Sequence, residues 1–131
     1  MHSIALAFPP LIAIRAVVGA VWLYEGLWCK ILGRAPSQVQ VVAAVPRFGA
    51  TFGPPFLMAL GLVEAALAVW VLSGVAPGEC AIVQAALLVV LNANGLLWAR
   101  HIIDDPAGMV VKNIAFLMLA WICGAIPGGG R

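Results

Sequence analysis

Charged side chains are what this sequence has least of. Only 9% of its 131 residues are Asp, Glu, Lys or Arg, where a soluble domain carries about 25%. With 64% hydrophobic residues and a mean hydropathy of +1.09, a water-soluble fold would leave much apolar surface exposed, so the bilayer is the expected solvent. A net charge of only +2 excludes the basic footprint that nucleic-acid binding needs. Period-two alternation of apolar and polar residues is missing too, which excludes a membrane barrel and leaves helices as the form that satisfies every backbone group in lipid. The three cysteines, Cys29, Cys80 and Cys123, lie far apart with no C-x-x-C, so a zinc cage, a thioredoxin-like motif and Fe–S spacing are not indicated. His2 and His101 fall at opposite ends of the expected bundle, which leaves a bis-His haem within one chain without its ligands. Residues 1–10 lack a basic n-region and a small-residue cleavage site, so the first apolar segment reads as a permanent span. There is no internal repeat.

What is present is four long apolar runs, at about residues 11–32, 54–73, 79–99 and 106–126, each near the ~20 residues that cross the hydrocarbon core. The expectation is an all-α, integral membrane, four-helix antiparallel bundle forming one domain over residues 1–131, the short loops making neighbours antiparallel. Gly33 and Pro36 end the first run, Gly74, Pro77 and Gly78 separate the second from the third, and Pro127 with Gly128–Gly130 stops the fourth. Asp105-Pro106 supplies a capping carboxylate and a proline suited to the first helical position, and Pro54-Pro55 is expected to open the second span in the same way. In the longer connection at 33–53, Ser37 can cap a short segment, 38–45, read as an interfacial helix, with a valine-rich strand as the alternative.

Basic residues set the expected orientation. Lys30, Arg34 and Arg47 flank the first connection and Arg100 the third, while the second has none. The positive-inside rule then places those two loops in the cytoplasm and both termini outside. Cys80 and Cys123 share the termini side, where an oxidising compartment permits a disulfide; Cys29 lies on the other side and is expected to stay reduced.

The informative residues are ionisable ones inside the spans: Arg15, Glu25, Glu64 and Lys112. A charge at membrane depth is costly and usually faces a bundle interior, a partner or a pathway. Arg15, Gly19, Trp22, Gly26 and Cys29 recur at spacings of four and three on one helical face, with Glu25 on its flank, about 80° from Arg15. The glycines suit close helix–helix contact. Trp22 is too deep for the interfacial belt and is expected to pack or to cap a polar group, whereas Trp28 suits the belt. Antiparallel geometry puts Glu25, Lys30, Asn92 or Asn94, Lys112 and Asn113 toward one end, Glu64 near the middle and Arg15 toward the other end. A Glu25–Lys112 pair supported by the asparagines is the expected core of this layer, because mutual satisfaction avoids isolated buried charge. Two readings remain open: a polar core that only fixes register, and a ligand or ion site.

Read together, the pieces resemble a known family. Arg15 and Gly19 followed by WLYEGLWCKI (22–31), GLVEAALAVWVLSG (61–74), Gln84 and Asn92, and DDPAGMVVKNIAFL (104–117) are similar to the four helices of the DoxX-like family. The resemblance implies a four-helix protein of the bacterial inner membrane, linked by its family name to quinol oxidase and thiosulfate:quinone oxidoreductase systems. It marks Arg15, Glu25, Lys30, Glu64, Lys112 and Asn113 as the polar positions, without catalytic roles. With Trp22 and Asn92 these are the candidate ligand or polar-core residues.

Three functions compete. The first is an accessory or structural subunit of a larger redox or respiratory membrane complex, whose partners are the lipid bilayer and other membrane subunits or further copies of the chain. The second is a quinone-handling component in which Arg15, Glu25, Glu64 and the tryptophans bind the ring; the chain has no cofactor of its own in this reading, and quinone or lipid would be the ligand. The third is an oligomeric proton or ion transporter using Glu25, Glu64 and Lys112.

Overall fold

The computed structural model describes residues 4–34, 36–46 and 49–125. Helix α1, Leu11–Leu23, runs on without a break into a π-helical segment, Tyr24–Ile31. A short helix α2, Pro36–Ala43, follows, and then three long helices: α3, Gly49–Ser73; α4, Pro77–Trp98; and α5, Pro106–Ala125. Among the described residues there is no strand, and the segment expected at 38–45 is the helix α2. Four helices are long and apolar enough to cross a membrane: Leu11–Ile31, Thr51–Ser73, Pro77–Trp98 and Pro106–Ala125, of 21, 23, 22 and 20 residues. At 1.5 Å per residue each spans about 30 Å, the thickness of the hydrocarbon core.

The helix ends follow local chemistry, with two departures from expectation. Asp105 caps α5 as foreseen: its Oδ1 accepts from the Gly108 N–H at 3.0 Å. Helix α4 begins at Pro77, earlier than expected, because Ala76 adopts a left-handed conformation (φ 45°) that turns the chain and leaves the proline at the first helical position. Helix α3 begins at Gly49, so Pro54 and Pro55 lie inside it rather than opening it. A proline's fixed φ is compatible with helix; what it removes is the N–H that would bond the carbonyl four residues back. Here those carbonyls belong to Ala50 and Thr51, at the end of the bundle.

Helix α1 packs on both α3 and α5, and α5 packs on α4, while α3 and α4 touch only lightly. That seam is bridged at one end by α2, which contacts α3, α4 and the π-helical segment. The core contains Ile14, Val18 and Trp22 from α1, Leu67, Ala68 and Val71 from α3, Cys80 and Leu88 from α4, and Ala120 and Cys123 from α5. The Trp22 ring meets Phe116 edge-on, centroids 5.6 Å apart. The expected face of the first helix is the buried one: Arg15, Gly19, Trp22, Gly26 and Cys29 are all inside. Large side chains such as Val69, Val89, Val111 and Met118 point outward, as helices solvated by lipid require.

Glycines set how closely the elements approach. A Cβ on Gly26 would lie 2.6 Å from the Gly61 carbonyl oxygen, and one on Gly61 would lie 2.9 Å from the Gly26 oxygen. The π-helical segment and α3 are therefore in backbone contact, an arrangement that only small residues permit.

Candidate functional site

The π-helical segment decides which side chains meet. With 100° per residue, Glu25 and Lys30 would stand about 140° apart on an α-helix. In a π-helix the backbone bonds join residues five apart, so Lys30 comes over Glu25. Its Nζ lies 3.4 Å from the Glu25 carbonyl oxygen and 2.6 Å from Glu64 Oε1. Both side chains of this ion pair are enclosed, 7% exposed for Lys30 and 3% for Glu64.

The expected Glu25–Lys112 pair is therefore corrected. Glu64 is paired by Lys30 from the neighbouring helix, while the Glu25 carboxylate accepts a hydrogen bond from Gln38 Nε2 of α2 at 3.2 Å. The physical reason is the local winding: it turns Lys30 inward onto α3, and α2 covers Glu25 from the other side. On the opposite wall Asn113 Nδ2 donates to Asn92 Oδ1 at 2.9 Å, and Asn92 Nδ2 donates to the Leu88 carbonyl at 2.8 Å.

These groups surround one cavity of about 340 Å³. Seven of the eight candidate residues line it: Trp22, Glu25, Lys30, Glu64, Asn92, Lys112 and Asn113. Gln38 and Asn94 add polar groups, and Val42, Phe56, Leu60, Leu88, Met109 and Phe116 supply an apolar wall. The volume falls within the range of small-molecule sites, and an apolar lining with a few placed polar groups is their usual chemistry. Lys30 and Lys112 balance Glu25 and Glu64 in formal charge, so the cavity suits a neutral ligand that both accepts and donates hydrogen bonds. Sequence reasoning missed Gln38 as a cavity residue and the Lys30–Glu64 pairing; α2 was legible as a helix, but nothing in its sequence says that it folds back over the bundle.

Arg15 is the candidate residue that does not join this group. It lines a separate small cavity with Trp70, Gly74, Cys80, Gln84 and Cys123. Between the two cavities stands Trp22, whose Nε1 donates to Gln84 Oε1 at 2.8 Å; Gln84 Nε2 in turn donates to the Cys80 carbonyl at 3.3 Å. The three cysteines are free thiols, all buried. Trp28 is exposed at the bundle end, as expected for the belt, with the Arg34 guanidinium 5.6 Å above its ring. Among the described residues no three His, Cys, Asp or Glu side chains gather as a metal-binding group.

Four apolar spanning helices around a shared amphipathic cavity define a small polytopic membrane protein. The sequence profile of the DoxX-like family matches residues 19–121, and the chain belongs to that family. No curated protein matches it. No solved structure matches it either.

Proposed function

We propose that the protein is a membrane subunit that holds a quinone-class ring in the large cavity and works beside a redox partner. The observation that carries this reading is the composition of that cavity. Donors stand on two walls, the Lys30 ammonium and Gln38 on one and Lys112 and Asn113 on the other, with the aromatic side chains of Trp22 and Phe116 between. A quinone presents two carbonyl acceptors across a flat apolar ring and is neutral, which matches the charge balance of the site. Glu25 and Glu64 are carboxylates placed to exchange the protons that quinone reduction consumes. The electrons come from elsewhere: the sequence carries no haem or Fe–S ligand pattern, so a neighbouring subunit is the source. This joins the accessory-subunit reading to a defined ligand. An ion relay is less well supported, because Trp22, bonded to Gln84, separates the two cavities.

The test is a titration of the purified protein in lipid nanodiscs with a short-tailed ubiquinone analogue, followed by quenching of tryptophan fluorescence. Saturable quenching is expected, with the affinity falling about tenfold in Asn113→Leu, which removes about one charge-free hydrogen bond's worth of binding energy. Quenching that rises linearly with quinone, or an affinity in both Asn113→Leu and Lys112→Met unchanged from that of the unsubstituted protein, would sink the proposal.

A further inference from the structure

The elements around the large cavity form a ring that is broken at one place. The π-helical segment is in backbone contact with α3 through Gly26 and Gly61. Helix α2 touches α3, α4 and that same segment, and α5 packs on α4. Among the described residues, however, no Cα of the π-helical segment lies within 8 Å of one in α5, and α2 does not reach α5 either. Helices α1 and α5 meet at Trp22 and Phe116. Beyond that contact they part, toward the end where α1 becomes the π-helical segment.

Side chains bordering this gap belong both to the cavity and to the outside. Val21 lines the cavity yet is 37% exposed. It stands about 160° around α1 from Gly19, whose close neighbour is Leu72 of α3, so it faces away from α3. Lys112 of α5 also lines the cavity and is exposed. On the closed side Leu57, Leu60 and Leu88 line the same cavity and are buried. Phe56 is a second exposed lining residue, but it stands about 140° around α3 from Gly61 and so borders the α3–α4 seam, which α2 bridges. Depth decides what can pass the gap. Val21 is at the midpoint of the span Leu11–Ile31, and Lys112 lies about 9 Å along the axis from the start of α5. The gap therefore opens onto hydrocarbon rather than water.

We propose that the gap between the π-helical segment and α5 is a lateral portal, through which the large cavity takes its ligand from the bilayer and an isoprenoid tail leaves it between Val21 and Lys112. The tail rests on the quinone reading; the portal itself requires only a lipid-soluble ligand. A volume of about 340 Å³ suits a substituted ring, whereas a tail of many isoprene units exceeds it and has to lie in lipid. The portal thus selects a membrane-resident quinone over a water-soluble one.

The experiment is photo-crosslinking of the full-length protein in lipid nanodiscs with two probes, the adducts located by mass spectrometry. One probe is a phosphatidylcholine with a diazirine midway along an acyl chain; the other is a ubiquinone analogue with a diazirine at the end of its tail. Acyl-chain adducts are expected on Trp22 and Leu88, both buried cavity residues, as well as on outward residues such as Val89 and Met118. Quinone adducts are expected on α1 around Val21 and on α5 around Lys112, and should disappear under excess unlabelled quinone. Val21→Trp, which fills the gap, should lose the adducts on Trp22 and Leu88, and Val89→Trp on the outer face of α4 should keep them. If Val21→Trp does not fold, the unsubstituted protein decides. Acyl-chain adducts confined to outward residues overturn the portal whether or not quinone binds. Competed quinone adducts at Phe56 and on α2 move the exit to the α3–α4 seam and overturn it equally. Acyl-chain adducts on Trp22 and Leu88 without any competed quinone adduct uphold the portal and sink the quinone reading instead.

Discussion

At the scale of single residues, the Lys30–Glu64 pair concentrates the energetic risk of this protein. Removing one partner of a buried ion pair strands the other charge, a cost of about 3–5 kcal/mol, whereas replacing both with apolar residues of similar volume is often close to neutral. We expect Lys30→Met and Glu64→Leu each to destabilise the protein by about 3 kcal/mol or more, and the double variant by clearly less than either. Unfolding in mixed detergent micelles measures all four corners of the cycle. Additive losses would mean that the two side chains do not depend on each other. That Glu64 is an ionisable group inside an apolar run was legible in the sequence, whereas Lys30 read as one of the basic residues flanking the first connection. Who pairs with whom was not legible. The expectation of Glu25 with Lys112 rested on their shared depth in an antiparallel bundle, and one stretch of i→i+5 winding was enough to hand Glu64 to Lys30 and leave Glu25 to Gln38.

At the scale of elements, the four spans could be read from hydropathy alone and the loops from their glycines and prolines, because lipid demands about the same length of every helix. The π-helical segment had no comparable signal. YEGLWCKI (24–31) holds no proline, and its one glycine, Gly26, also fits an ordinary packing face. Its winding makes sense only against α3, where Gly26 and Gly61 bring the two backbones together. Gly26→Ala should therefore force the segment away from α3, because the contacts it meets are backbone atoms that cannot swing aside. We expect a loss of about 2 kcal/mol, within the range for overpacking, and weaker ligand binding, since Glu25 and Lys30 ride on the same turn. Gly78→Ala, in the first turn of α4 with open space around its Cβ, is the control, expected to be neutral or mildly stabilising. Unfolding midpoints of the two variants compare them directly. Equal midpoints would show that the close contact carries no energetic weight.

At the scale of the whole molecule, the polar groups divide between two ends. The large cavity lies beside the ends of α1 and α4 and the starts of α3 and α5, the end that carries Lys30, Arg34 and Arg100; Arg15 and the three-residue turn Gly74–Ala76 lie at the other. Because the positive-inside rule counts Lys and Arg close to the span ends, we expect the basic end to face the cytoplasm, an orientation that would put the large cavity within reach of cytoplasmic protons and Arg15 toward the outside. Labelling of introduced cysteines reads this directly. The native thiols are buried and should contribute little to labelling of intact cells by a membrane-impermeant maleimide. Gly78 has room for a side chain at the start of α4, and His101 is exposed in the loop before α5. Gly78→Cys should label on intact cells, and His101→Cys only after the membrane is opened. The reverse pattern would turn the molecule over, moving the carboxylates of the large cavity to the outer half of the membrane, and any proton exchange at Glu25 or Glu64 would then draw on the opposite compartment.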